Sequence, residues 1–298
     1  MKFSTLLTGL LVCSLLFSGV SCAPASDSSP ATANNPTAYI ENKGSDTLVN
    51  LALAWAERYQ ADHPDVRISV TGGGSGTGIT ALINGTVDIA NASRQIKPEE
   101  LDEAKAKGVE PVEFVVARDA IAVIVNPSNP VSQLTLQQIS DIYSGKITNW
   151  AEVGGEDRPI VRLSRETNSG THVYFLETVL RLGDKKNKTL FSMDTLLLPS
   201  SEGIIAEVRQ NPNAIGYDGL GYVPPDLKVI AIARAPGEPY VLPSIKTVND
   251  KTYPVARDLY MYTNGQPTGA IKAYLDWILS EEAQKIVAKL GFVPITGQ

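Results

Sequence analysis

Three short runs of hydroxyl and glycine residues stand out as sites of chemistry: Gly44-Ser45-Asp46-Thr47, Thr71-Gly72-Gly73-Gly74-Ser75-Gly76-Thr77-Gly78 and Ser169-Gly170-Thr171. Each follows a strand-like stretch and precedes apolar residues at helical spacing. A strand–loop–helix junction leaves the first N–H groups of the helix without partners and places the positive end of its dipole there, which suits an anion. The middle run has five glycines in eight residues; glycine lets backbone approach a ligand closely. Arg94 and Arg165 sit in similar strand-end loops, and the planar guanidinium fork matches the edges of a tetrahedral oxyanion. Taken singly, each feature has a plainer reading: Ser75 or Thr77 as an N-cap, Asp46 as a helix cap, a loop arginine paired with a surface carboxylate. Taken together, they supply the many donors that an oxyanion needs when it leaves water.

Other chemistries find less support. The only histidines are His63, beside a helix-ending proline, and His172, inside a helix start. Neither has a Cys/His cluster at metal-ligand spacing or a nucleophile pattern around it. A net charge of −6 argues against nucleic acid, which calls for a basic stripe. A small anion is bound by local dipoles and is unaffected by that balance.

The elements that must hold these loops alternate between strand and helix. Tyr39-Ile40 reads as a strand, and Leu48, Leu51, Ala52, Trp55, Ala56 and Tyr59 as the apolar face of a helix ended at His63-Pro64. Val66 to Val70 is a strand before the glycine run, and Ile79, Leu82 and Ile83 begin the helix after it. Val87 to Ala90 leads as a strand to Ala92-Ser93-Arg94. Val112 to Ala117 and Ala120 to Val125 are two apolar strand runs. Asn126 to Pro130 breaks the chain, and a second α/β region follows. It holds a Thr135-capped helix to Tyr143, a strand at Ile160 to Leu163, and a helix striped by Val173, Leu176, Val179 and Leu180. The last stretch has two amphipathic helices, Ala270 to Leu279 and Glu281 to Leu290, broken at Ser280, then a strand at Gly291 to Pro294. This alternation predicts an α/β fold with buried sheets.

The N-terminus reads as a secretion signal over residues 1–21, with Lys2 ahead of an apolar run too short for a comfortable membrane span. Gly19-Val20-Ser21-Cys22 is similar to a bacterial lipoprotein cleavage box, so Cys22 is the expected lipidation site and membrane anchor. Gly19 stands where such boxes usually carry Leu, and ordinary cleavage nearby is the alternative. Cys13 would leave with the signal, so no disulfide is expected in the mature chain. Residues 22–37, poor in apolar bulk, read as a disordered tether.

As an ordered set, the motifs resemble the extracytoplasmic phosphate-binding proteins of the ABC phosphate-uptake system. The resemblance runs from about Tyr39 to Pro294. It is carried by Gly44 to Thr47, Gly72 to Ile79, Val87 to Ala90 with Ala92-Ser93-Arg94, and Arg165 with Ser169-Gly170-Thr171. Ser144 to Trp150 and Ala214 to Tyr217 support it. It implies a type II periplasmic-binding-protein fold: two α/β lobes, each a mixed sheet flanked by helices, joined by a two-strand hinge with phosphate in the cleft. Residues 38–117 and 249–298 would form lobe 1, and residues 118–248 lobe 2. By matching motif, the phosphate contacts would be Ser45, Asp46, Thr47, Ser75, Arg165, Ser169, Gly170 and Thr171. Many members carry an Asp where this chain has Arg94. Asp46 is the best-placed substitute acceptor for the proton of phosphate, and Arg94 would either touch phosphate or hold Asp46 ionised by proximity.

The expected function is therefore a monomeric, non-enzymatic receptor in the periplasm or at the cell surface. It needs no cofactor or metal, and its partners are inorganic phosphate and membrane permease subunits. Alternatives are a receptor for sulfate, tungstate or molybdate, and, in another class, a secreted phosphatase or a phosphate sensor or adhesin on the same fold.

Overall fold

The computed structural model describes residues 37–295. The expected signal segment, Cys22 and all but the last residue of the tether lie outside the described residues. Strand β1 (Ala38–Gly44) runs straight into helix α1 (Asp46–Asp62), which buries the predicted face from Leu48 to Tyr59. Then come β2 (Val66–Thr71), α2 (Ser75–Ile83), β3 (Ile89–Ala92) and α3 (Pro98–Ala106). Pro98 opens α3, where a missing N–H costs nothing. Strand β4 (Pro111–Val125) follows, with β5 (Gln133–Thr135) and α4 (Leu136–Tyr143), whose start is fixed by Thr135 accepting from Gln138 N. The chain continues through β6 (Val161–Arg165), α5 (Gly170–Phe175), β7 (Leu196–Leu198), α6 (Ser201–Gln210), β8 (Ala214–Gly219), β9 (Lys228–Val229), β10 (Ala231–Ala233) and α7 (Ile245–Asn249). It ends with β11 (Ala256–Asn264), α8 (Gly269–Ile278) and α9 (Glu281–Lys289). Ser280 caps α9 and separates the last two helices, as the sequence predicts.

Among the described residues, one nine-stranded sheet has the order β2-β1-β3-β11-β4-β8-β6-β7, with β9 also pairing β4. Strands β1, β2 and β3 are parallel, as are β8, β6 and β7. Between these two parallel sets lie β11 and β4, antiparallel to each other and to their neighbours.

The sequence predicts two strands where β4 is one. The chain stays extended through Arg118 and Asp119 because both charges are met from β11, where Arg118 pairs Asp258 at 3.2 Å and Asp119 stands opposite Arg257 in the register. The predicted strand at Gly291 to Pro294 is reduced to a single bridge between Val293 and Arg118.

Two large cores sit on the two halves of β4. The first gathers Ile40, Leu48, Trp55, Val116 and Ala117 with Leu259, Leu275, Val287 and Phe292, so both ends of the described chain build it. The second gathers Ala120, Ile121, Val123, Tyr143, Trp150, Phe175 and Tyr217 and extends to Tyr253 and Val255. Phe175 and Tyr217 stack there at 3.6 Å between ring centroids. This is a two-lobe α/β fold in which one strand supplies apolar residues to both lobes.

Candidate functional site

All three hydroxyl-rich loops lie at the C-terminal ends of parallel strands, where open α/β sheets bind ligands. Gly44 ends β1, and Ser45-Asp46-Thr47 begin α1; Thr71 ends β2, and Ser75 begins α2; Arg165 ends β6, and Gly170 begins α5. The topology brings the first two loops against the third. Gly76 N donates to Asn168 O at 3.1 Å, Asn168 Nδ2 donates to Gly73 O at 2.9 Å, and Thr47 Oγ1 lies 2.9 Å from Thr171 Oγ1. Gly74 has φ of 89°, and a Cβ there would stand 2.9 Å from Asn168 O, so the glycine run serves a left-handed turn and a close approach together. Gly170 is fixed by space alone: its Cβ would lie 2.3 Å from Ser75 Oγ and 2.4 Å from Ser93 Oγ.

Asp46 is the first residue of α1 and caps nothing. Its Oδ1 accepts from Gly73 N at 2.9 Å, and its Oδ2 accepts from Arg165 Nη2 at 2.6 Å. Its backbone carbonyl accepts from the Tyr222 hydroxyl at 2.6 Å. Arg165 is 1% exposed and also donates to Ser201 Oγ at 3.0 Å and Pro199 O at 2.8 Å. Behind it, Asp218 lies at 3.9 Å from Nη1 and accepts from Ser201 Oγ and Gly219 N. Burial pushes the Asp218 carboxyl up, and the Arg165 charge opposes that shift.

The remaining predicted residues assemble in the same place. Ser75 Oγ accepts from Ser93 N at 3.0 Å, and Ser169 Oγ accepts from Thr171 N at 3.2 Å. Ser45 is the N-cap residue of α1 and is buried. Of the two roles the sequence leaves open for Arg94, holding Asp46 is not the one it plays. Arg165, not Arg94, is the cation on Asp46, because Glu100 takes the Arg94 guanidinium in a two-point pair at 2.8 and 2.6 Å. Glu100 is pushed up by burial, but the Arg94 bonds and the Lys97 N–H outweigh this and hold it below its usual range.

Sequence reasoning missed the middle of the site. Arg257 on β11 donates to Ser93 O, Thr47 Oγ1, Thr171 Oγ1 and Asp119 Oδ2 at 2.9, 3.3, 2.9 and 3.1 Å. Asp119 is fully buried and pushed up to about 6 by burial, against the pull of Arg257. Asp119 and Asp218 did carry a signal: each is an acidic residue within a largely apolar strand run, and such a residue seldom goes inside unpaired. Asn168 and Tyr222, which bind across the cleft, carried none.

His172 lies beside Thr171 but faces away from the loops. Its Nδ1 is 3.0 Å from Ser164 Oγ, which is itself 2.6 Å from the Tyr217 hydroxyl, and its ring stacks on Phe191. Burial lowers its pKa. With Ser164 fully buried, this contact is scaffold for α5 and not an exposed nucleophile pair. No three His, Cys, Asp or Glu stand together to hold a metal ion, and no helix is long and apolar enough to cross a membrane, among the described residues.

Comparison with known proteins identifies the family. The family model of the PBP superfamily domain matches residues 29–282. The phosphate-binding protein PstS of Pseudomonas aeruginosa is 33% identical, over 88% of this chain and 85% of its own. The chain belongs to the PstS family of the PBP superfamily. Another PstS, from Bacillus subtilis, is 32% identical over 99% of this chain and 96% of its own. Among solved structures, a putative phosphate ABC transporter substrate-binding protein from Clostridium perfringens, with bound phosphate, superposes with a TM-score of 0.78 at 35% identity. It covers 87% of this chain and 100% of its own. A phosphate transport receptor of ABC type from Vibrio cholerae superposes at 0.68 with 30% identity, over 85% and 99%.

Proposed function

We infer that this protein is an extracytoplasmic receptor that binds inorganic phosphate and passes it to an ABC-type permease in the membrane. It is a binding protein and not an enzyme, as its PstS relatives are. The observation that carries this reading is the closed ring of donors around the Asp46–Arg165 pair, at the ends of β1, β2 and β6. The relative from Clostridium perfringens, described with bound phosphate, shares this fold at 35% identity.

The ligand set is the one the matching motifs imply, and the assembly of their loops in one place supports it. Ser45, Asp46, Thr47 and Ser75 reach phosphate from one lobe, and Arg165, Ser169, Gly170 and Thr171 from the other. Arg94, held by Glu100, borders the set and adds positive charge near Gly76. Asp46 is the acceptor for the proton that phosphate carries. The lobes are residues 38–117 with 249–298, and residues 118–248. The distribution of the two cores supports that division, except that Tyr253, Val255 and Val293 pack with the second core. The receptor is a monomer, anchored through lipid on Cys22; the cysteine's position after small residues supports the anchor.

Calorimetric titration with phosphate, sulfate and tungstate tests the function. Phosphate should bind far more tightly than the other two. Removing one partner of a buried charge pair typically costs about 2–5 kcal/mol, so Arg165→Ala should lose roughly 30-fold to several thousand-fold in phosphate affinity. Equal binding of all three anions, or an Arg165→Ala affinity near the parent's, counts against this reading.

A further inference from the structure

Arg257 lies on the strand that joins the lobes, outside every hydroxyl-rich loop, yet its guanidinium touches residues from all sides of the cleft. Nη1 donates to Ser93 O, and Nη2 faces Thr47 Oγ1, Thr171 Oγ1 and Asp119 Oδ2. Its Cζ stands 5.4 Å from the Tyr174 ring centroid, and the residue is 7% exposed. A pairing partner for Asp119 needs one N–H; this guanidinium also turns Nη1 and Nη2 to the loops, while its Nε–H is buried without a partner.

A guanidinium has no acceptor, so each hydroxyl it meets must accept at that point. That fixes the direction of the hydroxyl's own hydrogen. Thr47 and Thr171 both accept from Arg257 and lie 2.9 Å apart. One of the two therefore donates to the other, and the single hydrogen left over is directed away from Arg257, into the space where the two loops meet. The same rule runs through the rest of the ring, since Ser75 accepts from Ser93 N and Ser169 from Thr171 N. Arg257 also anchors Ser93 through its carbonyl and so supports the Ser93–Ser75 contact.

We propose that Arg257 is a positioning residue for anion binding: it holds the Thr47–Thr171 hydroxyl pair so that its remaining hydrogen is offered to the ligand, with Asp119 as its counter-charge. Its reach to one threonine from each lobe makes the donor set complete only when the lobes are closed. This inference rests on the phosphate reading given above.

A double-mutant cycle decides it, with inorganic phosphate as titrant, calorimetry as readout and thermal melting as a check of folding. Thr171→Val removes the hydroxyl and keeps the shape; Arg257→Gln removes the charge and the fork. Each single variant should bind phosphate about 10- to 100-fold more weakly, the cost of losing a hydrogen bond to a charged group. The double variant should be little worse than the weaker single, because Arg257 acts through Thr171 and coupled residues are non-additive. Losses that simply multiply, or an Arg257→Gln affinity within about threefold of the parent, overturn the proposal. Should Arg257→Gln fail to fold, Arg257→Lys replaces it in the same cycle, keeping the charge opposite Asp119 and losing the fork. A parent protein that does not bind phosphate overturns the phosphate reading and this inference with it. A parent that binds, with an additive cycle, overturns this inference alone.

Discussion

Asp46 and Arg165 are 119 residues apart in sequence and 2.6 Å apart in space, and their contact spans the cleft between the first and third hydroxyl-rich loops. Arg165 is nearly fully buried while the Asp46 side chain is 20% exposed, so the pair is rooted on one side and reachable on the other. A carboxylate held this way keeps lone pairs for a ligand's proton. Sulfate is the same shape as phosphate but carries no proton at neutral pH, and it would set its own lone pairs against those of Asp46. Asp46→Asn should weaken phosphate binding and narrow the phosphate-to-sulfate ratio by at least about tenfold, as a hydrogen bond to a charged group contributes about 1.5–3 kcal/mol. Competition titrations on parent and variant measure the ratio. If it is unchanged, the acceptor lies elsewhere.

Gly170 tests closure by size alone. A methyl group at this position meets Ser75 Oγ and Ser93 Oγ from the facing loops, both well inside contact distance. Overpacking of this kind costs about 1–3 kcal/mol, so Gly170→Ala should bind phosphate roughly 5- to 150-fold more weakly. Its melting temperature without phosphate should stay near the parent's, because the clash lies between loops and not within a core. A large drop in that melting temperature would place Gly170 in the stability of the fold instead.

Closure itself has a solution signature. Strands β4 and β11 pair antiparallel between the two cores, and such a pair is a natural hinge. Loop-to-loop bonds such as Gly76 N to Asn168 O hold the cleft shut opposite it. Small-angle scattering should show a smaller radius of gyration at saturating phosphate than without it. The same radius in both conditions would argue for a rigid molecule.

Asp119 gives a pH dependence whose sign is fixed. Its carboxyl is raised from 3.8 to about 6 in the folded chain, chiefly by burial. Between these values the folded state holds a proton that the unfolded state has released. The associated stabilisation is therefore full below the unfolded pKa and lost as pH rises through about 6. Relative to Asp119→Asn, the parent should lose up to roughly 3 kcal/mol of stability from about pH 4 to pH 7, from a shift of about two units. Denaturant melts of both proteins across that range measure the difference, and parallel curves would remove Asp119 from the titration.

The sequence by itself determined the local parts. Apolar spacing set helix α1, Ser280 set the break before α9, and Thr135 set the start of α4, because each depends on neighbours within a turn or two. The hydroxyl-rich loops were legible for the same reason, since a strand end, a glycine run and a helix start are adjacent in the chain. What met what was not legible. Asp46 read as a cap as easily as a ligand until Arg165 arrived from β6, and Arg94 looked equivalent to Arg165 until Glu100, six residues away, took its guanidinium. Arg257 had no motif around it, and the strand register with Asp119 brought it under the site. Only the tertiary structure decided these pairings. A charge is satisfied by whatever lies within a few ångströms, and for Arg165 and Arg257 those partners are more than thirty residues away in sequence.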